Sequence, residues 1–374
     1  MVRGTRVALQ MNVEVEADFP VFIDEVAERA DASRGFLRAA WYAAGRRRDG
    51  RTLVARGTDG AAVAALPLTP IKPFLPKGRA VAGSYWPFRA PVLAADACAD
   101  ACADAVAAMV AHRAARRLLS PLWRMGPVYD DDPGAVMLLR ALRDGGWTVL
   151  TRRLGTAWRF DLRAAAAAGA WPRKSTLKRL RSYQRQLGEQ GEVRLRMLSG
   201  AQWDADMFDV LRGIESRSWV GTDTDGQGAK FLTDAQRAHW RDVVRDPWLA
   251  ARLSVTVLHV GDRAIAFSFD LRSGPVQYSI ASSYDRDYAA WRPGKIVTYH
   301  QFGEALEQGV ETIDLGAGDG GYKREIGARP GPAIHDYLIV RHRPLAALLR
   351  RRWESGGDAD ADVDGADGAG EGRT

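Results

Sequence analysis

Hydrophobic and polar positions recur along this chain in two rhythms, one with a period near 3.6 residues and one with a period of two. Together they divide it into elements. Val13–Val15 begins a strand-like alternation, and Asp18 stands in N-cap position before a run in which Phe22, Val26 and Ala30 share one helical face. A second short helix is expected over Phe36–Tyr42. Arg51–Arg56 and Ala61–Leu68 alternate as the arms of a hairpin turning across Gly57-Thr58-Asp59-Gly60. Short strands are expected over Arg79–Tyr85 and Ala90–Leu93, then an Ala-rich helix from about Asp96 to Arg116. A strand over Leu118–Leu122, a helix over Ala135–Gly145 and a strand over Trp147–Thr151 complete a first α/β unit ending near residue 155.

The second half repeats a similar order. Trp158–Leu162 reads as a strand joining the two units, followed by a helix over Trp171–Gln190 and a strand over Val193–Leu198. Met207, Val210, Leu211 and Ile214 recur at helical spacing within Trp203–Trp219. The Gly- and Asp-rich loop Val220–Lys230 leads to a helix over Phe231–Val244. Leu253–Val260 and Ala264–Leu271 form a hairpin at Gly261-Asp262, with Val276–Tyr284 as a third strand. A helix from Gly294, terminated at Gly309, precedes a short buried strand at Thr312–Leu315. A basic amphipathic helix over Pro344–Trp353 comes last. No short-period repeat appears, but two units of similar element order suggest a duplicated fold. The expected class is α/β, with tandem domains over residues 12–155 and 156–353, each a mixed, largely antiparallel sheet flanked by helices.

Composition narrows the options. The chain has 374 residues, enough for two domains, and 46% hydrophobic with 26% charged residues is ordinary for a globular protein. A disordered chain, a fibrous repeat and a disulfide scaffold are excluded. Cys98 and Cys102 lie four apart on one helix face, are expected to be small core residues, and are too few for a structural zinc site. No metal is expected. No run approaches the ~18 apolar residues of a membrane span, and the N-terminal residues lack an apolar stretch typical of a signal peptide. A cytoplasmic protein is expected.

Charge adds a further constraint. The net formal charge is +7, yet residues 354–374 hold seven acids and one base and read as a disordered acidic tail. The remaining body, with 52 bases against 39 acids, carries +13. Such a body favours an anionic partner: a phosphorylated cofactor, RNA or an anionic surface. The helix at 171–190 concentrates this charge, with Arg173, Lys174, Lys178, Arg179, Arg181 and Arg185 and no acid between them, while Leu177, Leu180, Tyr183 and Leu187 form its apolar face.

Candidate chemistry gathers in residues 276–327. The strand Tyr278–Tyr284 leads through a loop ending Trp291-Arg292-Pro293-Gly294-Lys295 into a helix. Free N–H groups at a helix start, a Gly permitting close approach, and flanking Arg and Lys make a sound anion site. The next strand runs into Asp314-Leu315-Gly316-Ala317-Gly318-Asp319-Gly320-Gly321-Tyr322-Lys323, where five of the six residues 316–321 are Gly or Asp. Backbone in unusual conformations, followed at once by a Tyr and a Lys, reads as the lining of a site.

The succession of the "ESRSW" helix, a Gly-rich loop, antiparallel strands, "YDRDYAAWRPGK", a helix and "IDLGAGDGGYKREIGA" resembles the GNAT acyltransferase superfamily. It looks closest to the cellulose-biosynthesis-type and Fem-type branch, whose chains hold two GNAT-like domains in tandem. The resemblance is clearest over about 171–330. It implies an acyl donor, acetyl-CoA or another acyl-CoA, with its pantetheine arm beside Ser279 and Ala281 on a splayed strand and its pyrophosphate near Arg292, Gly294 and Lys295. Trp291 and Ile296 depart from the usual phosphate-loop pattern. Fem-type relatives use aminoacyl-tRNA instead, so tRNA or an acyl carrier protein stands as an alternative donor carrier. The resemblance also implies that Tyr322 protonates the leaving thiolate and that Lys323 binds donor phosphate or acceptor carboxylate. Glu215 and Asp270 are the candidate bases, Asp319 is a base or a loop cap, and His300 is expected to be packed. The expected activity is N-acyl transfer from acyl-CoA to the primary amine of a small-molecule or sugar acceptor. Aminoacyl-tRNA-dependent transfer and a non-catalytic binding module are the alternatives.

Overall fold

The computed structural model describes residues 9–45, 49–71, 78–83, 87–204, 206–224, 226, 228–318 and 321–355. Asp319 and tail residues 356–374 lie outside the described residues. In chain order the first half holds β1 (Asn12–Ala17), α1 (Phe22–Glu28), α2 (Ala39–Ala43), β2 (Arg51–Arg56), β3 (Ala62–Pro70), β4 (Arg79–Val81) and β5 (Val92–Leu93). Next come α3 (Ala99–Ala111), α4 (Arg113–Leu119), β6 (Leu122–Tyr129), α5 (Pro133–Asp144) and β7 (Thr148–Asp161). The second half holds α6 (Leu162–Ala167), α7 (Lys174–Gly188), β8 (Val193–Ser199), α8 (Met207–Ser216), α9 (Trp219–Asp223), α10 (Asp234–Val243) and α11 (Pro247–Ala250). It continues with β9 (Leu253–Val260), β10 (Arg263–Ser273), β11 (Val276–Tyr284), α12 (Pro293–Glu307), β12 (Thr312–Ala317), α13 (Tyr322–Glu325), β13 (Arg329–Val340) and α14 (Arg343–Glu354).

Among the described residues thirteen strands form one mixed sheet, in the order β1-β2-β3-β4-β6-β13-β7-β12-β11-β10-β9-β8, with β5 beside β3. Helices flank it, so the α/β class and the mixed, largely antiparallel sheet hold. In the first half, α3 and α5 bury Val106, Met109, Leu138 and Leu142 against Leu53, Leu66, Leu68 and Trp123 of the sheet. In the second, β10 divides its side chains between its two faces. Phe267, Phe269 and Leu271 meet Phe208, Phe231 and Trp240 of the α8–α10 layer, while Ile265 and Ala266 join Val297 and Phe302 of α12 on the other face.

Several expectations shift. The Ala-rich helix breaks at His112, whose ψ of 131° is extended, and its continuation α4 takes up Leu118 and Leu119, so the strand expected there begins at Leu122. Cys98 is not core: it is exposed at the start of α3, its sulfur accepting from the Ala101 N–H at 3.4 Å, whereas Cys102 is buried. The strands expected at 147–151 and 158–162 are one fourteen-residue strand, β7, which therefore runs through residue 155. Strand β13 carries Pro330 and Pro332, which disguise it in the sequence; it inserts between β6 and β7. Its Asp336, wholly buried, accepts from Arg124 at 2.8 Å and Arg152 at 2.7 Å. The Arg152 guanidinium in turn lies 4.5 Å from the ring centre of Trp353 in α14.

A second tie joins the halves. The turn at Ala32–Arg34 docks on the turn end of the β10–β11 hairpin, where Ser273 donates to the Ala32 carbonyl (2.7 Å) and Tyr278 to the Ser33 carbonyl (2.9 Å). Gly274, at φ +55°, is required there: a Cβ would lie 2.6 Å from that of Ala32.

Candidate active site

Strands β11 and β12 are parallel neighbours for only three pairs, Val276↔Thr312, Gln277↔Ile313 and Tyr278↔Asp314. Beyond them β11 stays with β10 and β12 stays with β7, its Ala317 pairing with Ala157. The two strands thus part in a wedge whose vertex is Tyr278 and Asp314. Just past the vertex Ile280 is bulged out between the pairs Asp270↔Ser279 and Phe269↔Ala281, which re-aims the strand. Ser279 and Ala281, the expected donor-arm residues, occupy this splayed length and are half-buried.

Helix α12 starts at the far end of β11. Its N-cap, Arg292, is exposed and left-handed (φ 50°, ψ 48°), and no side chain caps the helix. An Arg in that conformation is held there by its surroundings. Pro293 follows at the first helical position. Gly294 packs against β11: a Cβ would come within 3.1 Å of the Tyr284 ring. Lys295 pairs with Glu325 of α13 at 2.9 Å, which links the helix start to the Tyr322–Lys323 segment.

The loop before α12 is held by a network whose members stand in the motifs but whose partners the sequence does not reveal. Asp285, 1% exposed, accepts from Arg217 Nε at 2.6 Å and from Arg263 at 3.0 and 2.7 Å. Arg217 belongs to the ESRSW segment at the end of α8. Arg286 pairs with Asp223 of α9 at 2.7 Å, so α9 and the loop before α12 are tied together.

The sequence-predicted acids and bases separate on inspection. Glu215 is 2% exposed, and its two oxygens accept from the Lys230 N–H (2.9 Å) and the Phe231 N–H (2.7 Å). It pins the end of the 220–230 loop, and burial raises its pKa against those two hydrogen bonds. Asp270 is wholly buried on β10, and its carboxylate accepts from Ser268 at 2.6 Å and Ser279 at 2.8 Å. Burial pushes it up to about 6, opposed by those hydroxyls and Gln277. Ser279 places this acid one side chain from the wedge. Tyr322 is 42% exposed at the start of α13, after Gly321 at φ +68°. Lys323 beside it is buried, and its ammonium donates to the carbonyls of Ala317 and Gly318 (2.8 Å to the latter), closing the end of β12. His300 is half-buried on α12.

At the wedge vertex lies a cluster the sequence reading missed. Asp314, 2% exposed, accepts from the Tyr129 hydroxyl (2.8 Å), from Arg159 (3.4 Å) and from the Gly316 N–H (3.0 Å). Arg34 pairs with Asp132 at 3.2 Å and lies 4.8 Å from the Phe88 ring centre. Its Nη1 is buried with no hydrogen-bond partner, as is the Tyr42 hydroxyl. Burial pushes that hydroxyl far above its ordinary range, with Asp132 adding to the rise and Arg34 opposing it. Orphaned buried donors mark a place where a polar group from outside the chain would be welcome. Asp314 stands within "IDLGAG"; Arg34, Tyr129 and Asp132 come from far upstream, and no local signal pointed to them.

Among the described residues, no helix is long and apolar enough to cross a membrane, and no group of three or more His, Cys, Asp or Glu is arranged to hold a metal. No curated protein matches the sequence. The fold is similar to that of FemX, at 12% identity and a TM-score of 0.58, over 88% of this chain and 97% of that one. It is also similar to a tandem GNAT protein from the clavulanic acid biosynthesis pathway, at 13% identity and a TM-score of 0.50, over 89% of this chain and 99% of that one. Residues 174–324 match the family model described as the acetyltransferase (GNAT) domain, and the fold is one shared with a tandem GNAT protein.

Proposed function

We propose that this protein is an N-acyltransferase that moves an acyl group from a pantetheine thioester, acyl-CoA in the simplest case, to the primary amine of a small-molecule or sugar acceptor. The observation that carries this reading is the wedge: a ladder of three residue pairs between β11 and β12, then divergence, with an uncapped helix start at Arg292 where β11 ends. A pantetheine arm carries two amides, and the splayed edge of a strand offers backbone groups to continue hydrogen bonding with them. The two domains, 12–155 and 156–353, and the place in the cellulose-biosynthesis-type branch belong to this proposal.

The transfer breaks the acyl–sulfur bond and forms an acyl–nitrogen bond. The amine loses a proton and the departing thiolate gains one. Tyr322, exposed beside the loop that closes β12, serves as the acid. Asp270 takes the amine's proton through the Ser279 hydroxyl, which already donates to it. Glu215 and Lys323 act as supports, one for the 220–230 loop and one for the end of β12. Arg34 and Tyr42 supply the orphaned donors that meet a polar oxygen of the acceptor.

A second reading, aminoacyl-tRNA-dependent transfer, draws on the exposed cations of α7. Calorimetric titration with coenzyme A, followed by an amine screen reading free thiol from acetyl-CoA, tests the first. Saturable binding weakened by Arg292→Ala, with amine-dependent thiol release, supports it. Absent coenzyme A binding together with salt-sensitive tRNA binding would favour the second.

A further inference from the structure

We propose that the basic face of α7 is a docking surface for an acidic acyl carrier protein, which delivers the thioester to the wedge on its phosphopantetheine arm. The inference rests on the acyl-transfer reading above and names the bearer of the donor.

Three observations carry it. First, α7 presents Lys174, Lys178, Arg181 and Arg185 at spacings of four, three and four residues, so they form one stripe along the helix. All four are exposed, as are Arg173 and Arg179 at the flanks. The stripe runs over twelve residues, eleven helical steps or about 16 Å. Among the described residues, none of these six makes an ion pair, whereas Arg163, Arg194, Arg196, Arg263 and Arg286, also exposed, each make one. An uncompensated stripe of this length matches one face of an acidic helix.

Second, the helix that bears the stripe adjoins the loop that leads to Arg292. Leu177 and Tyr183 of α7 pack into the same cluster as Tyr288 and Trp291 of the loop that ends at Arg292. A carrier seated on α7 therefore sits next to the segment that leads to the helix start.

Third, the helix start is poorly made for the nucleotide half of coenzyme A. Lys295 is paired with Glu325, and Gly294 is packed on Tyr284. Trp291 is half-buried in the apolar cluster, and Ile296 is buried. Arg292 is left as the exposed cation of that turn. A pyrophosphate and a ribose phosphate ask for more. A carrier-bound arm presents a single phosphodiester, which one Arg and an uncapped helix start satisfy. RNA would also be drawn to the stripe, but it brings no amide-bearing arm to the wedge.

The test is binding of fluorescently labelled holo-acyl carrier protein of type II fatty-acid synthesis to the full chain, measured by anisotropy. Coenzyme A and bulk tRNA are titrated in parallel. The expected result is saturable carrier binding, weakened at least tenfold by raising salt from 50 to 500 mM and at least tenfold by Lys178→Glu/Arg181→Glu. The same pair of substitutions should change coenzyme A affinity less than twofold. Circular dichroism confirms that the variant is folded, and Lys178→Ala/Arg181→Ala provides a milder second variant. Absent carrier binding, binding insensitive to both variants, or tRNA outcompeting the carrier at the stripe overturns the proposal. The two readings fail separately. Acyl-CoA turnover with no carrier binding leaves acyl transfer standing, and carrier binding with no thioester consumed by any amine leaves docking standing.

Discussion

At the residue scale, the buried acids Asp270 and Glu215 have different surroundings. Asp270 has a folded pKa of about 6, above the ordinary carboxylate value. A raised folded value means that the group is best accommodated at low pH. Its contribution to stability is complete below the unfolded carboxylate value and is lost as pH rises through 6. Asp270→Asn should therefore raise the melting temperature at pH 8 and have little effect at pH 4, the difference corresponding to about 3 kcal/mol. If Asp270 is the proton acceptor, kcat/KM of the unsubstituted protein falls below pH 6, and that limb disappears in the variant. Glu215, by contrast, ties two backbone N–H groups. Glu215→Ala should cost about 3 kcal/mol in urea unfolding and loosen the 220–230 loop to proteolysis. Tyr322→Phe should lower kcat about 100-fold with unchanged donor affinity; unchanged kcat would remove Tyr322 from the mechanism.

At the element scale, the placement of α12 depends on its lead-in loop more than on the helix itself. Arg217, Arg263 and Asp285 fasten that loop to α8 and β10. Arg217→Met leaves Asp285 buried with one partner fewer, so KM for the donor should rise about tenfold with a smaller change in kcat, as for an orientation effect. Equal loss in both would place Arg217 closer to the chemistry. Most elements around this site are legible in the sequence. The hairpins at 51–68 and 253–271, strand β11, helix α12 and strand β12 follow from alternation and Gly punctuation. The missed elements have physical reasons: prolines mask β13, and β7 alternates poorly because its two ends serve different neighbours.

At the scale of the whole molecule, β7 pairs with β13 along most of its length and with β12 at its end, and the Ala32–Arg34 turn rests on the β10–β11 hairpin. The two halves thus share one sheet. Urea unfolding followed by far-ultraviolet circular dichroism and by tryptophan fluorescence should show one common midpoint; separated midpoints would mean that the shared sheet does not couple them. Gly274→Val should disturb this docking, since it combines a left-handed position with a clash against Ala32. A loss of several degrees in melting temperature is expected.

Local pattern by itself determined most of the element types and the basic face of α7, and marked the segment 276–323 as the candidate seat of chemistry, because periodicity and glycine placement act over a few residues. It also marked Asp270, Glu215, Tyr322 and Lys323 as chemically capable groups, without dividing their roles. That division was made by burial and partners: two backbone N–H groups for Glu215, two serines for Asp270, two carbonyls for Lys323, and an exposed position for Tyr322. The wedge vertex was decided by tertiary structure alone. Arg34, Tyr129, Asp132 and Asp314 lie up to 280 residues apart in the chain, and only the shared sheet brings them together.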